Sequence, residues 1–116
     1  MVGMRFKQRR RDPKTRSLEF CPAWLELPEG NRQLYMVDLS AKGARFRNPL
    51  AGHPLPVRPE QEVAVTVKTP YGRSRCIGKV SWTEQDENGE MLGIAFTEPP
   101  NEADDPLRML INSPIC

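Results

Sequence analysis

Cysteine is too scarce and too scattered in this chain to hold it together. Cys21, Cys76 and Cys116 are odd in number, far apart and without a C-x-x-C pair, which excludes a disulfide framework and a zinc knuckle and points to a reducing compartment. Histidine is rarer still, with His53 alone among prolines and no Cys, Asp or Glu at ligand spacing, so it reads as a loop residue and no metal is expected. There is no run of about 18 apolar residues to cross a bilayer, and no apolar stretch of signal-peptide length follows the basic start. A cytoplasmic protein without a membrane span is the expectation. Nucleophile elbow, phosphate-binding glycine loop and paired catalytic carboxylates are all missing, and the chain is read as a non-enzyme. Aromatics make up 7% of it, and most stand where a core needs them. Trp24 and Trp82 fall on strand-like segments as core or rim packing, and Cys76, inside another, behaves as a small buried hydrophobe.

Proline and glycine, by contrast, are plentiful, at twelve and eight in 116 residues, a length suited to one domain and one core. Segments of helical period are few, which points to an all-β fold with many turns. Alternation starts near Ala23 with Leu25 and Leu27, turns at Pro28–Asn31 and resumes from Gln33 to Val37, a hairpin pattern. Gly43–Phe46 begins a third strand. Pro49, Pro54, Pro56 and Pro59 then make residues 48–59 a surface loop. Val63, Val65 and Val67 alternate with Ala64, Thr66 and Lys68, and Thr69–Gly72 turns the chain into Arg73–Trp82, expected to pair antiparallel with them. Asn88-Gly89 marks a further hairpin before Met91–Phe96. Asp104 or Asp105 can cap a short helix at Pro106–Ile111, whose Leu107, Leu110 and Ile111 share a face for docking. Six strands of this kind suit a small barrel, closed or split, with a β-sandwich as the alternative of equal strand count.

Charge is divided unevenly. The formal net charge is +2, yet residues 1–16 carry Arg5, Lys7, Arg9, Arg10, Arg11, Lys14 and Arg16 against Asp12 alone, a net +6, and the remaining ten basic and fourteen acidic residues give −4. An arm of this kind either stays solvated or closes over an anion. The most informative stretch is Val37–Phe46. Asp38 and Ser40 stand two apart where a strand ends, and Gly43 allows a turn or a close approach that a side chain would block. An ionised Asp is an acceptor only, suited to the N–H donors of a guanine edge, whereas a Ser hydroxyl donates or accepts. The same residues would also serve as an Asx-turn that merely closes the strand junction.

Asp38-x-Ser40-x-x-Gly43 followed by Ala44-Arg45-Phe46 resembles the D/N-x-S-x-x-G signature of PilZ domains. Gly78-Lys79-Val80-Ser81-Trp82 and Gly93-Ile94-Ala95-Phe96 resemble that family's G-x-V-x-W and G-(V/I)-x-F strands. The likeness runs from about residue 9 to residue 98. It implies a six-stranded antiparallel split barrel over residues 18–98, between a flexible basic arm at 1–17 and a tail with a short helix at 99–116. It also implies cyclic di-GMP as ligand, held by the D/N-x-S-x-x-G strand and an upstream R-x-x-x-R pair. In many members a proline follows the second arginine by six positions. Pro22 stands six after Arg16, and Asp38 sixteen further on, which registers Arg16 as that arginine. The first then falls on Asp12, and the nearest arginine gives Arg11-x-x-x-x-Arg16; a strict R-x-x-x-R exists only at Arg5 and Arg9, seven residues early. Either a one-residue bulge lets Arg11 reach the ligand, or Arg10 with Lys14 substitutes, or binding has weakened or been lost.

The expected site is therefore Arg10, Arg11, Arg16, Asp38, Ser40 and Gly43. The expected activity is that of a cyclic di-GMP receptor that changes shape to regulate a protein partner in motility, surface attachment or exopolysaccharide output. The alternatives are a protein-interaction module of the same fold without the ligand, and single-stranded nucleic-acid binding, which lacks an aromatic platform.

Overall fold

Where β-branched residues alternate with polar ones, as in Glu62–Thr69, the pleat sends Val63, Val65 and Val67 to one side and leaves Lys68 in water. Five more strands extend this pattern in the computed structural model, which describes residues 16–50, 52–87, 89–100 and 102–112, and of residues 16–20 the backbone alone. In chain order the elements are β1 (Arg16–Leu25), β2 (Arg32–Leu39), β3 (Gly43–Asn48), β4 (Glu62–Thr69), β5 (Gly72–Asp86), β6 (Gly89–Phe96) and α1 (Pro106–Ile111). All pairings are antiparallel and the sheet closes in the order β1-β2-β3-β6-β5-β4, so each strand has a neighbour on both sides over part of its length. The inward residues, among them Leu25, Leu34, Met36, Leu39, Phe46, Val65, Val67, Val80 and Leu92, are fully buried.

Two segments stopper this cylinder. Helix α1 covers one part of the core with Leu107, Leu110 and Ile111. Its cap is Asp105, whose carboxylate accepts from the Leu107 amide and the Ser74 hydroxyl of β5, each at 2.9 Å, so one side chain both caps the helix and fastens it to the barrel. The proline-rich loop contributes Leu55, held from its backbone. Buried Glu90 accepts from the Leu55 amide at 2.9 Å and from Asn48 Nδ2 at 3.2 Å. Asn48 Nδ2 and Arg32 Nη2 donate to the His53 carbonyl at 3.0 and 2.6 Å.

Several boundaries move from their sequence positions. The first strand begins at Arg16, not near Ala23, and takes in two residues assigned to the arm. Pro22 does not end it, because it lies beside the β1 bulge (Ser17/Cys21) and just before pairing with β4 starts at Ala23, places where a strand tolerates a proline. The fifth strand runs on to Asp86, which pairs with Gly89; Asn88 lies outside the described residues, and Gly89 has the positive φ (121°) of a tight hairpin. The flexibility expected of residues 1–15 also concerns residues outside those described.

Close strand approach explains the motif glycines. A Cβ on Gly43 would meet the Ile94 carbonyl oxygen, and one on Gly78 the Ala95 carbonyl oxygen. On Gly93 it would lie 2.5–3.0 Å from the Trp82 indole. Gly43 is not among the residues with positive φ, so it is required for close approach and not for a left-handed turn. Because the obstacle at Gly43 is backbone and at Gly93 a half-buried ring that can shift, Gly43→Ala should destabilise more than Gly93→Ala. An overpacking cost of about 1–3 kcal/mol would lower Tm by several degrees or more for a domain of this size. Equal melting temperatures by differential scanning calorimetry would contradict the ordering.

Burial also sets the thiols. It pushes Cys21 up, and it carries Cys76, which donates to the Val65 carbonyl, up to about 12 from 9.0. The native state keeps a proton that the unfolded chain releases, so Cys76 adds stability below pH 9 that is lost as pH rises toward about 12. Cys21 and Cys76 should therefore resist iodoacetamide at pH 8 until denaturant is added, read by peptide mass spectrometry.

Candidate functional site

Asp38 would face the core if β2 kept a strict alternation, since Leu34 and Met36 do. It does not, because the register with β3 slips by one residue between Met36, opposite Phe46, and Asp38, opposite Arg45. The bulge gives Leu39 the inward position opposite Ala44 and turns Asp38 to the outer side with Arg45. There the Asp38 carboxylate pairs with the Arg45 guanidinium. Their exposures differ sharply, with the Asp38 side chain 7% and the Arg45 side chain 44% accessible. The carboxylate is thus buried, while the arginine paired with it stands half in water.

Ser40 follows the strand and organises the turn into β3. Its amide donates to the Gly43 carbonyl at 2.9 Å, and its Oγ accepts from the Lys42 amide at 3.2 Å. The Lys42 carbonyl in turn accepts from the Phe96 amide of β6 at 2.9 Å, leaving the Lys42 side chain exposed at the rim. Gly43 opens β3 opposite Ala95. The serine therefore does the local turn-closing for which an Asx-turn on Asp38 was the alternative, and Asp38 instead reaches across to the next strand.

On the other side of Asp38 the chain arrives from the basic arm. Backbone register sets Ser17 opposite Asp38 and Arg16 opposite Leu39. The row continues past Arg45 to Gly93 and from there to Trp82. One line across β1, β2, β3, β6 and β5 thus holds Ser17, Asp38, Arg45, Gly93 and Trp82. Asp38, Ser40, Gly43 and the backbone of Arg16 lie close together at the β1–β2–β3 junction, while Arg10 and Arg11 lie outside the described residues. Arg45 was not read as a site residue. Its only sequence signal was its place two after the motif glycine, and the strand register was needed to set it over Asp38.

Other charged pairs lie elsewhere. Arg47 and Asp86 form a two-armed bridge at 3.2 Å, and Arg75 meets Glu26 at 2.7 and 3.0 Å. Hydrogen bonding to Arg75 holds the Glu26 carboxyl below its ordinary range. Arg73 lies over the Trp24 ring, 5.5 Å from its centroid. These exposed contacts tie strands on the outer surface and contribute little each. Among the described residues no group of three or more His, Cys, Asp or Glu is placed to hold a metal, and no helix is long and apolar enough to cross a membrane.

Comparison with known proteins accords with this geometry. A family model described as "PilZ domain" matches residues 8–113. No curated protein sequence matches. Among solved structures, the Bacillus subtilis inhibitor of motility (MotI/DgrA) superposes with a TM-score of 0.64 at 13% identity, over 78% of this chain and 44% of that one. The PilZ domain with c-di-GMP of YcgR from Escherichia coli gives 0.62 at 16% identity, over 78% of this chain and 79% of that one. The chain thus spans less than half of the motility inhibitor, and at these identities the likeness concerns the fold. With the six-stranded barrel, the motif at the β2–β3 junction and a family match over nearly all its length, this chain belongs to the PilZ domain family.

Proposed function

We propose that the chain is a cyclic di-GMP receptor module, without enzymatic activity, that takes its ligand on the outer face where β1, β2 and β3 meet and relays binding to a protein partner. The partner would act in motility, surface attachment or exopolysaccharide output. The observation that carries this reading is the bulge that turns Asp38 outward, beside the strand by which the basic arm enters. A carboxylate here accepts from the N1–H and N2–H of guanine, and the Ser40 hydroxyl can serve a phosphate oxygen or a base. Arg16, Lys42 and the arm, with Arg10 and Arg11, bring positive charge to a dianionic ligand. Arginine suits it better than lysine because its fork bridges two acceptors.

A second reading keeps the fold as a protein-interaction module and drops the ligand. It is favoured by Asp12 at the place of the first motif arginine and by the existing pairing of Asp38 with Arg45. Isothermal titration calorimetry with cyclic di-GMP, using GTP and a short RNA as controls, separates the readings. The receptor should bind cyclic di-GMP with micromolar or tighter affinity. Absence of heat at high ligand concentration would give the second reading precedence, and tighter RNA binding with a steep salt dependence would instead indicate a single-strand binder.

Two variants probe the site under the first reading. Asp38→Ala and Arg16→Ala should each weaken binding about tenfold or more, the worth of one charged hydrogen bond. For Asp38→Ala, Tm should move by only a few degrees, since the released Arg45 is already half exposed. Deletion of residues 1–15 removes six basic residues and one acidic, taking the net charge from +2 to −3. It spares β1, which starts at Arg16, so the shortened protein should keep its β-sheet circular dichroism and lose binding. Undiminished affinity after deletion would show that the arm takes no part.

A further inference from the structure

Resting on the receptor reading, we infer that Arg45 is itself a ligand-binding residue, stored on Asp38 in the free protein and transferred to a ligand phosphate when a guanine edge takes the carboxylate. The inference starts from the unequal exposure of the pair. The Asp38 side chain is 7% accessible and its carboxylate is engaged by Arg45, whereas the Arg45 side chain is 44% accessible, so a donor that takes the carboxylate has to displace the guanidinium, and the arginine already reaches water. A guanine edge and an arginine fork both present two parallel N–H donors to a carboxylate, so they compete for the same acceptor positions.

Competition alone would make Arg45 an obstacle. Charge bookkeeping argues for transfer instead. Removing Arg45 from Asp38 without a new acceptor would exchange one charge-assisted pair for another with little net gain, whereas a dianionic ligand brings the acceptor with it. The guanidinium sits on a long flexible stem whose root is fixed, because Arg45 pairs with Asp38 on β2 and with Gly93 on β6. It can therefore swing outward while its Cα stays in place. Asp12 also stands where the first motif arginine is expected. Arg45, two residues after Gly43, supplies a second guanidinium from the barrel itself.

The test is calorimetry on the full chain with cyclic di-GMP, at several salt concentrations, for the wild type, Arg45→Gln and Arg45→Lys. Circular dichroism and melting serve as fold controls. The wild type should bind, Arg45→Gln should bind at least tenfold more weakly, and its affinity should depend less on salt, because a phosphate contact has gone. A variant that merely misplaces Asp38 would weaken binding with the salt dependence unchanged, and that result overturns the inference. Arg45→Lys keeps the charge that balances Asp38 and lacks the fork, so it should fold normally, retain the salt dependence and recover only part of the affinity. Should Arg45→Gln fail to fold, wild-type affinity in Arg45→Lys decides against the inference. Affinity equal to or tighter than wild type in a folded Arg45→Gln protein would also reject it, leaving Arg45 as a counter-ion or a gate. A wild type that does not bind removes the receptor reading itself and this inference with it, an outcome distinct from wild-type binding that survives loss of Arg45.

Discussion

Six short strands can close into so narrow a barrel only if some of them come closer than side chains allow, and β6 is where this happens. Its Ile94 and Ala95 carbonyls lie against Gly43 of β3 and Gly78 of β5, and its own Gly93 lies under the Trp82 ring. Three glycines at two strand pairings, β3 with β6 and β5 with β6, allow this close approach in a sheet that returns β4 to β1. The bulges in β1, β2 and β5 belong to the same constraint, since each adds local twist where the sheet must bend. The motif glycines are thus conditions of closure first, and the site is built on the result.

The site inherits its geometry from that bending. The β2 bulge both seats Leu39 in the core and turns Asp38 out, so one irregularity completes the apolar packing and creates the polar site. The acid then lies between an arginine on β3 and the incoming backbone of β1. A buried carboxylate without a counter-charge is costly, and Arg45 meets that need in the free protein. The polar network of Glu90, Asn48 and the loop carbonyls shows the same economy elsewhere, with a buried acid satisfied by an amide and a side-chain donor while it anchors Leu55 in the core.

Charge is arranged on a larger scale too. The strong positive excess of the first sixteen residues enters the fold at Arg16, one residue from the partner of Asp38 in the register. Under the receptor reading, that point of entry is what would direct the arm's charge toward the motif. Salt screens such attraction over about 10 Å at ordinary ionic strength, so the point of entry matters more than the total charge.

Much of this was legible in the sequence. Alternating valines, an Asn-Gly turn and clustered prolines placed the strands and the long loop because these are local properties of the backbone, and Asp105 with Pro106 and a leucine face located α1 for the same reason. The D-x-S-x-x-G spacing marked the candidate site, since residue identity at a strand end is visible without the fold. Register is not local, and there the sequence was silent. Alternation alone would have put Asp38 with Leu34 and Met36 inside the barrel, and nothing nearby reveals the extra residue that reverses it. Only pairing with β3 reveals the reversal, because a one-residue slip exchanges the two faces of a strand. The same slip sets Arg45 opposite Asp38, while pairing with β2 extends β1 back through Pro22 to Arg16, and the approach of β6 assigns Gly43 to strand closeness instead of a left-handed turn. Each of these depends on a neighbouring strand distant in the chain, and so belongs to the tertiary structure.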